Sequence, residues 1–380
     1  VPLDEPAEAA RATATSTDSA ISRDSATSTE SPARTGSPGT ALPPDLADPA
    51  WLAARLGSPG VVVLDVRWRV GAGSDHAGYL AGHIPGARFV DLDRELAAPP
   101  GAGGRHPLPD ATVLQQVWRR HGIDDGSTVV VHDDADGSGA VRAWWLLRWS
   151  GLEDVRVLDG GLRAWTGALE TGEPAPSRPG TVTVRPGAMP TVDMAEVAAR
   201  SGAGHGLLLD ARAAPRYRGE IEPLDAVAGH IPGAVNLPFA ELYTERGTLR
   251  PPAELRERLE AAGVAVRHQA SEVSGDPSAT PEADRRRGLA DRDGPRGTGA
   301  DDSHDDGSAD SDDDRSADSD ADRGADRAVA SCGSGVTACH LVLAGRVAGI
   351  DLALYPGSYS EWSGAGRPVA TGPEPRSAAG

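Results

Sequence analysis

The sequence predicts an α/β protein built from two tandem copies of one unit, each a parallel sheet flanked by helices. Three observations predict it. First, Leu64-Asp65-Val66-Arg67, followed by Gly82-His83-Ile84-Pro85-Gly86-Ala87, recurs as Leu209-Asp210-Ala211-Arg212, followed by Gly229-His230-Ile231-Pro232-Gly233-Ala234. Second, short β-branched runs alternate with longer helical patterns in both copies. Third, Asp159-Gly160-Gly161 leading to Trp165 has its counterpart in Tyr355-Pro356-Gly357 leading to Trp362. The second copy is longer than the first, and an acidic tract within it accounts for the surplus.

Taken in order, residues 1–41 are Ala, Thr, Ser, Asp and Pro without apolar periodicity, and read as a disordered tail. Residues 42–172 form the first copy. Val61–Leu64, Thr128–Val131 and Val155–Leu158 read as buried strands, and Thr112–Arg120 and Val141–Trp149 as helices. Residues 173–190, rich in Pro and Gly, read as a linker. Residues 191–370 form the second copy, with a helix at Ala253–Ala262, a strand at Ala328–Ser331 and a helix at Val336–Arg346. Residues 268–327 read as a disordered acidic insertion: between Gln269 and Arg327 stand 18 acidic residues against 8 Arg. Such a tract cannot bury enough apolar surface to offset its ordering entropy.

At 380 residues the chain has room for two hydrophobic cores. Every basic side chain is arginine, and the net charge of −19 argues against a nucleic-acid or anionic-membrane partner. Two cysteines make no disulfide framework, so a reducing, cytoplasmic setting is expected. No apolar run is long enough to cross a bilayer, and no secretion signal is read at the N-terminus. No cofactor motif and no metal-ligand spacing stand out.

Chemistry concentrates at Ser331-Cys332-Gly333-Ser334-Gly335-Val336-Thr337-Ala338, between a strand-like and a helix-like run. A loop of this composition can curl its N–H groups toward the sulfur, and the helix adds its positive end. Both favour a thiolate, the nucleophilic form. A cysteine phosphatase needs an Arg six positions after the Cys, and Ala338 stands there. Cys339 falls within the apolar helix pattern and reads as core. His230 reads as a backbone-bonded residue of its Pro-Gly turn, and His83 either as the same or as functional. Arg212 reads as a structural ion-pair partner. Aligning the copies puts Asp133 at the position that Cys332 holds in the second, and a carboxylate offers no thiolate.

The tandem Gly-His-Ile-Pro-Gly-Ala elements and the Cys-Gly-Ser-Gly-Val-Thr-Ala loop resemble the two-domain rhodanese sulfurtransferases, and the Cys-Gly-Ser start resembles their 3-mercaptopyruvate branch. The resemblance implies two rhodanese-like domains, the first non-catalytic and the second catalytic. It implies that Cys332 becomes a persulfide and that Gly333, Ser334, Gly335, Val336 and Thr337 form the loop that holds the sulfur. It gives Arg216 the donor's anionic group, makes Trp68 a wall of the cleft, and joins Ser334 to His83, with Asp75 as a poorly spaced third member. A second arginine expected shortly before the second Gly-His element is replaced by Leu224. The expected partners are a small anionic sulfur donor and a cyanide, thiol or thioredoxin-like acceptor. Thiosulfate stands as the alternative donor, and a non-catalytic rhodanese-like binding module as a further alternative.

Overall fold

The computed structural model describes residues 42–203, 206–265 and 327–374; the expected tail and nearly all of the expected acidic insertion lie outside them. The first copy contributes β1 (Leu46–Ala47), β2 (Val61–Asp65), a ribbon of β3 (Trp68–Arg69) and β4 (Gly73–Ser74), then β5 (Arg88–Phe89), β6 (Thr128–His132) and β7 (Val155–Leu158). The second contributes β8 (Leu208–Asp210), β9 (Ala234–Asn236), β10 (Val329–Ser331) and β11 (Ala353–Leu354). Apart from the antiparallel ribbon, all pairings are parallel, in the orders β1-β7-β6-β2-β5 and β11-β10-β8-β9. The β2, β6, β7 and β5 places of the first sheet are taken by β8, β10, β11 and β9 in the second, so the sequence repeat is a structural repeat. Runs such as Val61-Val62-Val63-Leu64 suit strands that helices cover on both faces.

Helix starts follow their capping chemistry. The Asp110 side chain accepts the Thr112 and Val113 amides, at 2.7 and 3.3 Å, to open helix Ala111–Arg120. Leu114, Val117 and Trp118 give that helix one buried stripe. Helix Ser138–Trp149 follows the loop after β6, and helix Ala338–Ala348 follows the loop after β10. Both are buried over nearly their whole length, because they pack against each other between the two sheets. One apolar core therefore runs across the junction, holding Leu64, Val131 and Trp144 with Leu209, Ala330 and Leu341. A junction of this kind fixes the two copies as one body rather than hinging them.

The repeated motifs are structural in both copies. Past β2, Arg67 grips Asp65 with two parallel hydrogen bonds, 2.9 and 2.6 Å, and donates to the Gly82 carbonyl at 3.1 Å. Past β8, Arg212 does the same with Asp210, at 2.6 Å, and the Gly229 carbonyl, at 2.8 Å. Each following histidine is buried, with Nδ1 3.0 Å from the Tyr79 carbonyl for His83 and 2.8 Å from the Tyr217 carbonyl for His230. Each ring also stacks on that same tyrosine.

Candidate active site

Cys332 stands immediately past the carboxyl end of β10, where parallel sheets place their ligand sites. Its Sγ is buried and accepts the amides of Gly335, at 3.1 Å, and Ser334, at 3.4 Å. The loop is pinned from below: the Cys332 amide donates to Ser358 Oγ at 3.1 Å, while the Tyr359 and Ser360 amides donate to the carbonyls of Cys332 and Gly333. Gly335 has φ +77°, and a Cβ there would lie 2.2 Å from the Pro356 carbonyl oxygen. Only glycine fits both the left-handed backbone and the close approach. Gly335→Ala should therefore displace the amide that faces Sγ and lower kcat/KM by about two orders of magnitude with intact folding, as read by steady-state assay beside circular dichroism.

The cleft above the sulfur has a volume of about 300 Å³ and draws its walls from both copies. Trp68, Asp93, Arg105 and His106 come from the first, and Arg216, Leu224, Val336 and Thr337 from the second. A Cβ on Gly333 would meet Arg105 Nη2 at 2.7 Å and both Arg216 Nη atoms at 3.6 Å, so two guanidinium groups lie over this residue. Arg216 is held by Glu222 at 2.6 Å and Asp225 at 3.5 Å, and Arg105 pairs with Asp225. Burial opposes the charge on Glu222, but Arg216 and the amides of Leu224 and Asp225 outweigh it and hold this carboxyl below its usual range. At Asp225 burial prevails over Arg105, and its carboxyl is pushed up. The second arginine sought at Leu224 is thus supplied by the other copy.

Ser334 does not meet His83. Its Oγ lies 2.7 Å from His106 Nδ1, and His106 Nε2 lies 3.2 Å from Asp93 Oδ1. The Trp68 indole N–H donates to both Asp93 oxygens, at 3.0 and 3.1 Å, and fixes that carboxylate. Burial, reinforced by Arg142 and Arg105 and opposed by Asp93, lowers His106 to about 4, so its ring is neutral near pH 7. With Nε2–H directed at Asp93, the Nδ1 lone pair is free to accept the Ser334 hydroxyl. The expected placement of His83 fails because its ring is committed to the Tyr79 carbonyl and is not part of the cleft wall. Asp75 instead caps helix His76–Ala81, accepting the Gly78 amide at 2.8 Å. Cys339 is buried, and burial pushes its thiol up to about 12.

In the first copy, Asp133 takes the place that Cys332 has in the second. Its Oδ1 accepts the amides of Ala135, at 3.0 Å, and Gly137, at 3.1 Å, so the residue's own carboxylate fills the amide nest.

Comparison with known proteins gives a consistent picture. The rhodanese-like domain family matches residues 48–168 and 193–272. Two bacterial relatives bear provisional names. A 3-mercaptopyruvate sulfurtransferase of Pseudomonas aeruginosa is 40% identical over 84% of this chain and 96% of its own. A thiosulfate sulfurtransferase of Mycobacterium tuberculosis is 37% identical over 83% of this chain and 92% of its own. Among solved structures, the 3-mercaptopyruvate enzyme SseA of Escherichia coli aligns with a TM-score of 0.60 at 27% identity, covering 83% of this chain and 99% of SseA.

Proposed function

Because the chain belongs to the rhodanese-like domain family, we propose that it is a sulfurtransferase that moves sulfur from 3-mercaptopyruvate to a thiophilic acceptor through a persulfide on Cys332. The observation that carries this reading is the pair of guanidinium groups, Arg105 and Arg216, over Gly333 beside the sulfur. A planar carboxylate is the group such forks grip, and the raised Asp225 is the carboxylate it would most readily replace.

In this reading the Cys332 thiolate attacks the donor's sulfur, the S–C bond breaks, and its electrons remain on carbon as the enolate of pyruvate. The donor's thiol proton passes through Ser334 and His106 to that carbon, leaving Cys–S–S⁻ and pyruvate. Cyanide or a thiolate then attacks the outer sulfur and releases the Cys332 thiolate. Small thiols and thioredoxin-like proteins are the acceptors that fit this step. Both cysteines are free, in keeping with a reducing, cytoplasmic setting. Among the described residues no helix is long and apolar enough to cross a membrane.

Thiosulfate is the second reading, because its sulfonate would also meet both guanidinium groups. The two readings separate at His106. Thiosulfate leaves as sulfite and forms no carbanion, so the proton relay has no carbon to serve. The deciding experiment measures kcat/KM for both donors with cyanide as acceptor and Cys332→Ser as the blank. We expect 3-mercaptopyruvate to be preferred, and His106→Gln to cost it about 10²–10³-fold while changing thiosulfate turnover by less than about threefold. In the wild-type mercaptopyruvate profile, the loss that reports His106 should come only toward about pH 4, where His106 gains its proton, well below the ordinary histidine midpoint and apart from any fall that follows the thiolate. A preference for thiosulfate would overturn the donor assignment, and equal losses for both donors would overturn the relay.

A further inference from the structure

Arg142, on helix Ser138–Trp149 of the copy that holds no nucleophile, is fully buried. It donates to three carbonyls, Gly335 at 3.2 Å, His106 at 3.2 Å and Leu96 at 3.3 Å, and its side chain also meets the Cys339 thiol. Its Nε has no partner at all. Among the described residues it forms no ion pair, unlike the buried Arg67 and Arg212, each matched to a carboxylate. A buried cation without an anion is costly, and carbonyl dipoles offset only part of that cost. On the second copy's helix the buried polar residue is His340, which meets Ser138 of the first copy at 3.4 Å and which burial keeps neutral, so that helix packs here without a charge. Burial pushes the Arg142 guanidinium below its ordinary value, and what offsets this is the pull of the sulfurs of Cys339 and Cys332.

We propose that Arg142 is the fixed counter-charge of the sulfur anion at Cys332 and the positioning residue that ties the sulfur loop to the relay loop. One edge of its guanidinium group, Nη1, donates to the carbonyl of Gly335, whose amide faces Sγ. The other holds the carbonyl of His106, whose ring meets Ser334. The non-catalytic copy thereby places a positive charge behind the loop, on the side away from the donor. The ion pair is completed only when Cys332 is ionised or carries an anionic persulfide.

The other charged or titratable groups around the sulfur are Arg105, His106, Asp93 and Arg216 on the cleft side, with Glu222 and Asp225 on the arginines, and Cys339 behind. Of these, His106 also responds to Arg142, which helps keep its ring neutral; a proton gained there in an Arg142 variant would favour the sulfur anion and so oppose the expected effect. The inference rests on Cys332 being the nucleophile, but its test needs no donor. The rate of Cys332 alkylation by iodoacetamide is followed against pH by peptide mass in the full-length protein. Arg142→Gln, which keeps donors but loses charge, should raise the midpoint by about one pH unit and slow alkylation about tenfold at pH 7. Arg142→Lys should keep the wild-type midpoint, although its loss of the planar fork lowers kcat.

A folded Arg142→Gln protein with an unchanged midpoint overturns the proposal. Should that variant fail to fold, Arg142→Lys decides, since a raised midpoint in it removes the role of charge. A wild-type midpoint at or above the ordinary thiol value of about 8.5 overturns the proposal with no variant needed. Absence of sulfur transfer with a midpoint that still shifts would sink the functional reading alone.

Discussion

Replacing Cys332 by serine should remove persulfide formation altogether and lower turnover at least about 10³-fold with either donor. The wild-type protein, given donor without acceptor, should gain the mass of one sulfur atom on the Cys332 peptide and release one equivalent of pyruvate in a burst. The serine variant should show neither. The alternative reading, a rhodanese-like module that binds without catalysis, predicts no burst in the wild type, so the experiment separates the two. Cys339 cannot stand in for the lost thiol, because burial holds it protonated and it has no place in the cleft wall. Residual sulfur transfer in the serine variant would therefore place the chemistry elsewhere in the chain.

Removing either guanidinium over Gly333 should be nearly as damaging, and damaging in a way that reports on the donor. Arg105→Ala and Arg216→Ala should each lower kcat/KM for 3-mercaptopyruvate by about 10²–10³-fold, chiefly through KM. Each truncation also takes one cationic partner from a carboxylate, Asp225 or Glu222, although Asp225 keeps Arg216 and Glu222 keeps Arg212. Asp225→Asn on the wild-type background should act in the opposite sense and lower KM, because the donor would no longer displace a charged partner from Arg105. Alkylation of Cys332 by neutral iodoacetamide should remain within a few-fold in these variants, which separates loss of donor binding from loss of the nucleophile. Unchanged mercaptopyruvate kinetics in both alanine variants would sink the carboxylate-grip reading.

The repeat made the fold legible. Val61–Leu64 and its counterparts read as strands because they are apolar on both faces, and the alternation with helices fixed the parallel topology. The Cys332 loop was legible because its composition is rare and its position, between strand and helix, is chemically specific. His106 and Arg105 were not legible. They lie in a short irregular segment, Gly101–Pro107, with no periodicity to mark it, and their second-copy partners, Asp225 and Ser334, are more than a hundred residues away in sequence. His83 attracted the relay assignment because it sits in a conspicuous motif. Yet that motif occurs twice, and both copies of its histidine do the same structural work on a tyrosine carbonyl. Repetition here marks scaffold. The residues to which the proposals assign chemistry stand where the copies differ, as with Cys332 against Asp133. The second arginine was sought beside the second Gly-His element, whereas the fold brings it from the opposite copy.

The division of the site between copies has a consequence for how such a chain can change. A duplicated unit without a nucleophile is ordinarily dispensable, free to drift or to be deleted. Here the first copy owns Trp68, Asp93, Arg105, His106 and Arg142, while the second owns Arg216 and Cys332. On the proposed function neither half would carry a working centre alone, since a truncation that spares Cys332 discards His106, Asp93 and one of the two cleft guanidinium groups. Under the proposed function, the pair of copies rather than either one alone is therefore the smallest unit that holds the whole cleft.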